Sequence, residues 1–200
     1  MSRETVLHKV RSALGRTPGQ APAVAPPPLL FSPAMDNEAR VASFIGRFEA
    51  LGGKAVRVRD GAAARAWLGE FLGERTAVAS NSPYLRSCGC ADFPPVEVSK
   101  ADVGITSADY ALAETGTLVM LSSAKEARLV SLLPPVHVAI FPKSSILVGL
   151  DELFTVVPAP AESTSAMVMI TGPSRTADIE QILVRGVHGP GEIYSVIVDE

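Results

Sequence analysis

Apolar positions fall at helical spacing in the first third of the chain and in short unbroken runs over the rest. In residues 2–14, Val6, Leu7, Val10 and Leu14 share one side and Gly15 is a stop, which predicts a short amphipathic helix. Residues 16–33 are rich in proline and alanine around Pro26, Pro27 and Pro28, a composition that favours extended chain over a packed helix. Val41, Phe44, Ile45 and Phe48 then mark the buried stripe of a second helix, capped by Asp36 or Asn37, running to about Leu51 and ended by Gly52 and Gly53. A short strand at residues 55–58 follows. The next helix begins at Asp60 and buries Ala64, Trp67, Leu68 and Phe71. A strand at 76–79 leads into the turn-forming Ser80, Asn81, Ser82 and Pro83. This alternation predicts an α/β fold: a mostly parallel sheet flanked by helices.

Beyond that point the pattern predicts an irregular stretch over 84–95, a strand or strand edge at 96–98, and a strand at 103–105. Polar Thr106, Ser107 and Asp109 come next, then a short helix over 111–115, a turn at Gly116 and a strand over 118–121. A short helix is expected over 125–132, a buried strand over 136–140, a helix from Ser144 or Ser145 through Phe154, and a polar loop over 158–165. A strand over 166–170 feeds Gly172 and a helix over about 177–184, and the chain closes with a strand over 193–198. No internal repeat appears at solenoid spacing. The domain reading is a helix at 1–15, a Pro/Ala-rich linker at 16–35 and an α/β domain at 36–200.

Two hundred residues, nearly half of them apolar, can fill a sizeable core. The formal net charge of −3 argues against a nucleic-acid partner. Arg3, Glu4, Lys9 and Arg11 lie where the apolar core of a secretory leader would be needed, and the apolar run at 129–142 is broken by Pro134, Pro135 and His137. The expectation is a cytoplasmic protein with no membrane span. Cys88 and Cys90, the only cysteines, form a C-x-C pair. They are too few for an ordinary iron–sulfur cluster and a weak signal for any metal, so a loosely structured thiol pair is expected.

Candidate chemistry gathers at two polar turns. Around the first, Glu114 is a carboxylate beside a glycine turn at a strand mouth, able to serve as nucleophile or general acid/base, or to brace the turn by accepting backbone N–H bonds. Thr106, Asp109, Thr115, Gly116 and Thr117 surround it. The second turn is Gly172, Ser174, Arg175, Thr176 and Asp178. Read as a strand, a glycine turn and a helix start, it aims free N–H groups and the Arg175 charge at one point, fit for a phosphate or carboxylate; it reads equally as a capped helix with a solvated arginine. Its spacing is neither a Walker loop nor a dinucleotide fingerprint. His188, between glycines in GVHGPG, is either a proton donor near neutral pH or a brace for loop carbonyls. His137, in an apolar strand, reads as a satisfied buried imidazole, and His8 as exposed.

Three segments together carry a resemblance: GITSADYALAETGTLV (residues 104–119), LLPPVHVAIFP (132–142) and TGPSRTADIEQILVRGVHGP (171–190). They resemble the lactate-utilisation LUD-domain family, in particular its short LutC/YkgG-like members, from about Phe44 onward. The resemblance implies a NagB/RpiA/CoA-transferase-like architecture. It also implies a place in oxidation of L-lactate to pyruvate beside two iron–sulfur partner proteins. Longer LUD proteins carry cysteine clusters that this chain lacks, so the expected part is a non-redox subunit with no cofactor of its own. Such a subunit would bind a small carboxylate or complete the assembly, and would not be active alone. In that picture Glu114 and His188 are the catalytic candidates and the other turn residues hold substrate. An independent CoA-transferase-like or sugar-phosphate-isomerase-like enzyme using Glu114, and a regulatory or scaffold protein, are the alternatives.

Overall fold

The computed structural model describes residues 2–17, 19–21, 33–123, 128–177 and 183–200. The chain divides into two compact units, Met1–Leu30 and Phe31–Glu200. In the first, helix α1 (Arg3–Ala13) starts at Ser2, whose Oγ accepts the Thr5 N–H, and none of its residues is buried.

The second unit is built on a five-stranded, wholly parallel sheet. Its strands are β1 (Lys54–Val58), β2 (Ala77–Ala79), β3 (Val103–Ser107), β6 (Val136–Pro142) and β11 (Glu192–Val198), in the order β1-β11-β6-β3-β2. Side chains alternate across it. Val103, Ile105, Val138, Ile140, Val196 and Val198 pack on helices α3 (Gly61–Leu72) and α4 (Pro83–Ser87). Ala139, Phe141, Ile193 and Ile197 pack on the other side against helix α2 (Asn37–Ala50) and a second sheet. Burial on both faces is why these strands are short runs with few charges.

Helix α2 forms where the capping chemistry indicates. Asp36 Oδ1 accepts the Ala39 N–H at 2.8 Å, and Val41, Phe44 and Phe48 are buried. Phe44 stacks on Phe48 and meets Phe141 of β6 edge-on, centroids 5.3 and 5.7 Å apart, which fixes the helix across the strands. Its N-terminus lies at the carboxyl ends of the parallel strands. There Arg57 bridges Glu38 and Asp199 at 2.7 Å, and Lys143 reaches both carboxylates.

The second sheet departs from expectation. Strand β4 (Tyr110–Leu112) occupies the place of the short helix expected at 111–115 and returns antiparallel as β5 (Thr117–Leu121). Strands β7 (Ile146–Leu147) and β8 (Met167–Ile170) complete the order β7-β4-β5-β8. Its inner residues Ala111, Leu118 and Ile146 join the α2 core. Their neighbours Leu112, Val119 and Leu147 face helix α5 (Leu150–Val156). Gly116 sits at the hairpin turn with φ +64°, and a Cβ there would lie 2.4 Å from the Phe48 backbone nitrogen, so only glycine lets the turn meet α2.

Other elements are corrected too. The helix expected from Ser144 or Ser145 is a 3-10 turn (Lys143–Ser145), then β7, then α5. The stretch read as irregular opens with α4, and residues 98–100 form a 3-10 turn in place of the end of a strand. Where a helix was expected over 125–132, a 3-10 turn spans Arg128–Ser131; residues 124–127 lie outside the described residues. The polar loop expected over 158–165 contains the single helical turn α6 (Pro160–Ser163). The helix expected over 177–184 is replaced at both ends by β9 (Arg175–Ala177) and β10 (Leu183–Arg185), an antiparallel pair. Cys88 and Cys90 are not loose: both are free and buried in the α3 core. Burial pushes the Cys90 thiol up to about 11, so it stays protonated and unreactive at neutral pH.

Candidate functional site: a hydroxyl-lined cleft

In open α/β sheets, ligands sit beyond the carboxyl ends of the parallel strands. Beyond the ends of β2 and β3 there is a cleft of about 190 Å³ lined by Ser82, Pro83, Ser107, Asp109, Leu121, Ser122, Ser123, Ser163 and Thr164. Each wall has a local cause. Ser82 stands at the position preceding α4, after the turn that ends β2, and Ser107 is the last residue of β3. Ser122 follows the hairpin strand β5 back to the same edge, and Thr164 ends α6. The Ser107 hydroxyl donates to Ser82 Oγ at 2.7 Å, and Thr164 Oγ1 donates to the Ser122 carbonyl at 2.7 Å. Asp109 stands at the rim, exposed, with Oδ2 accepting the Leu121 N–H at 2.7 Å. Desolvation by the surrounding chain raises its carboxyl above the ordinary aspartate value, against the lowering effect of backbone N–H bonds.

Behind the cleft, Thr106 is fully buried and its hydroxyl lies 2.8 Å from His137 Nε2. Among the described residues His137 Nδ1 has no hydrogen-bond partner, so the imidazole is half satisfied there rather than satisfied as its apolar strand suggested. Burial alone pushes it down to about 4, so it is neutral at physiological pH.

Thr115, Gly116, Thr117, Gly172, Ser174 and Arg175 lie at the opposite, amino end of the parallel strands. Thr115 and Thr117 hydroxyls are 2.7 Å apart, and Thr117 meets Thr171 at 2.9 Å, so the two polar turns do touch. Both press on the C-terminal end of α2: Gly116 against Arg47 and Phe48, Gly172 against Leu51. The Arg175 guanidinium donates to the Leu51 carbonyl. Ser174 pairs through its backbone with Pro190 and Gly186, which brings it beside the loop carrying His188, itself exposed. Glu114 is exposed in the hairpin turn, its backbone N–H donating to the Val148 carbonyl at 3.0 Å. Thr176 lies on β9, opposite Val184, and Asp178 lies outside the described residues. Because Arg175 opens a strand, the aligned N–H groups of a helix start, on which the expected anion site rested, are not formed there.

Asp109 is thus the one sequence-chosen residue that lines the carboxyl-end cleft. The hydroxyls of Ser82, Ser107, Ser122, Ser123, Ser163 and Thr164 were missed as site residues. Their signal was present only as separate polar loops after strands. Among the described residues, no group of three or more His, Cys, Asp or Glu side chains converges as a metal site, and no helix is long and apolar enough to cross a membrane.

The architecture defines a class first: an α/β protein with a parallel sheet between helices on one face and a helix plus a smaller sheet on the other, carrying a polar cleft at the strand ends. The LUD domain, as a family profile, matches residues 96–198, and the chain belongs to the LUD-domain family. It is 43% identical over 108 residues to lactate utilization protein C of Halalkalibacterium halodurans, covering 52% of this chain and 47% of that protein. It is 41% identical over 108 residues to lactate utilization protein C of Bacillus subtilis, covering 52% and 45%. The aligned region thus spans about half the length of these curated relatives. The crystal structure of a DUF162 family protein from Deinococcus radiodurans shares the fold, with a TM-score of 0.65 at 20% identity over 82% of this chain and 99% of that one.

Proposed function

We propose that this chain is a non-redox component of lactate utilisation that holds a small hydroxy-carboxylate in the cleft at the strand ends. The observation that carries this reading is the cleft itself: a small, hydroxyl-rich space with one carboxyl at its rim, of a size and polarity for a ligand of a few heavy atoms. The relatives named lactate utilization protein C support the substrate class, and the family match spans every cleft residue except Ser82 and Pro83. Hydroxyl donors suit both the carboxylate and the hydroxyl of a 2-hydroxy acid. Removing two electrons from such a ligand needs an acceptor, for which the fitting partners are iron–sulfur proteins of the same system.

The purified chain is expected to bind L-lactate without oxidising it, and to support turnover only when the iron–sulfur partner proteins are added. Calorimetric titration and a coupled assay of pyruvate formation check the two halves. Lactate oxidation by the isolated chain, or absence of any lactate binding, contradicts the reading.

A further inference from the structure

We propose that Arg128 is the carboxylate-binding residue of the cleft, its guanidinium gripping the acid end of the ligand from a hollow that shares a wall with the cleft. This rests on the cleft being the site of a small hydroxy-carboxylate.

The hollow is lined by Met120, Leu121, Ser122, Arg128, Ser131 and Val168, and Leu121 and Ser122 line the cleft as well. Its volume is about 10 Å³, room for no more than one water, so it is not a ligand site by itself. What it brings to the shared wall is a charge. Among the described residues, Arg128 is the one cation that lines either space.

The backbone beneath that charge is held in place. Arg128 opens the 3-10 turn Arg128–Ser131, and the Ser131 hydroxyl donates to the Arg128 carbonyl at 3.0 Å. The turn is seated on β3, because the Val130 carbonyl oxygen occupies the space that a side chain at Gly104 would take. The same strand ends at Ser107, in the cleft. The shared wall is fixed too. The Ser122 N–H donates to the Ala166 carbonyl at 2.9 Å, and the Ser122 carbonyl accepts the Thr164 hydroxyl at 2.7 Å. The turn and the wall are thus placed by the fold, while the Arg128 side chain is exposed and free to reach along the wall.

The chemistry of the cleft calls for such a group. Hydroxyls are neutral donors, and an ionised Asp109 at the rim repels a second carboxylate. A guanidinium presents paired N–H donors that match the two oxygens of a carboxylate and carries the opposite charge. With Arg128 beside Ser122 and Asp109 beside Ser107, the ligand also acquires a direction. Its carboxylate lies toward Ser122 and Arg128, and its 2-hydroxyl donates toward Asp109.

Calorimetric titration of the full chain with L-lactate and with its neutral amide, L-lactamide, reads the contact. The wild type is expected to prefer lactate by about 10- to 100-fold, the scale of a hydrogen bond to a charged group. Arg128→Gln is expected to lower lactate affinity by that factor, to the level of lactamide, and to leave lactamide binding unchanged. Arg128→Lys keeps the charge without the fork and is expected to fall between. A folded Arg128→Gln that keeps the wild-type preference, or that loses both ligands equally, overturns the inference and leaves the lactate reading standing. A wild type that binds both ligands equally does the same. No lactate binding by the wild type overturns both.

Discussion

His137 is where a single residue most exposes the balance in this fold. It has no exposed surface, one nitrogen bonded to the Thr106 hydroxyl and the other without a partner among the described residues, and it is pushed down to about 4 from an ordinary 6.5. A histidine depressed in this way binds its proton more readily unfolded than folded. The stability it permits is therefore complete above pH 6.5 and declines as pH falls through 6.5 toward 4. The shift corresponds to about 3 kcal/mol over that window. Asp109, raised rather than lowered, acts in the opposite sense and gains stability on acidification, so the effect is read as a difference between wild type and His137→Gln. That difference in unfolding free energy is expected to shift by about 3 kcal/mol against the wild type between pH 6.5 and 4; a difference independent of pH contradicts the assignment. Gly104 shows the same tightness in backbone form: a Cβ there would lie 1.9 Å from the Val130 carbonyl oxygen, so the chain before β6 rests directly on β3.

At the scale of elements, α2 is the part that organises both ends of the sheet. Its N-terminal Glu38 joins the ion pairs of Arg57 and Lys143, and its C-terminal turn receives Gly116, Gly172 and Arg175. Arg175 gives the last turn both a donor for the Leu51 carbonyl and a cation at the negative end of the helix dipole, together worth about 0.3–1 kcal/mol at an exposed site. Arg175→Ala is expected to speed hydrogen exchange at Leu51, Gly52 and Gly53, whose N–H groups close that turn, and to leave lactate affinity unchanged. A loss of lactate affinity would instead make Arg175 a ligand group. The parallel strands and α2 were legible because buried central strands are unbroken apolar runs and because Asp36 and Gly52 bracket a clear stripe. The second sheet was not legible. Its strands are two to five residues long, too short for alternation to show, and β5 finds its partner β8 far along the chain. The helix expected over 177–184 gives way at its ends, where Arg175–Ala177 pair antiparallel with Leu183–Arg185 and strand pairing overrides local preference.

Over the whole molecule, the polar residues chosen from sequence separate to two ends of one sheet. Thr115, Thr117, Ser174, Arg175 and His188 gather at the amino end, where the contacts they make tie turns to α2 and to the 186–190 loop. Asp109 goes to the carboxyl end with serines from loops that sequence alone could not bring together, since their meeting depends on β2 lying next to β3 and on the hairpin turning Ser122 back to the same edge. Which end of the sheet binds ligand therefore decides the function. Backbone amide shifts of the isotope-labelled chain, followed by NMR as L-lactate is added, test this directly. The cleft reading predicts saturable shifts at Ser82, Ser107, Asp109, Leu121, Ser122 and Thr164, with Thr117, Ser174 and His188 unmoved. Shifts confined to Thr117, Ser174 and His188 would contradict it.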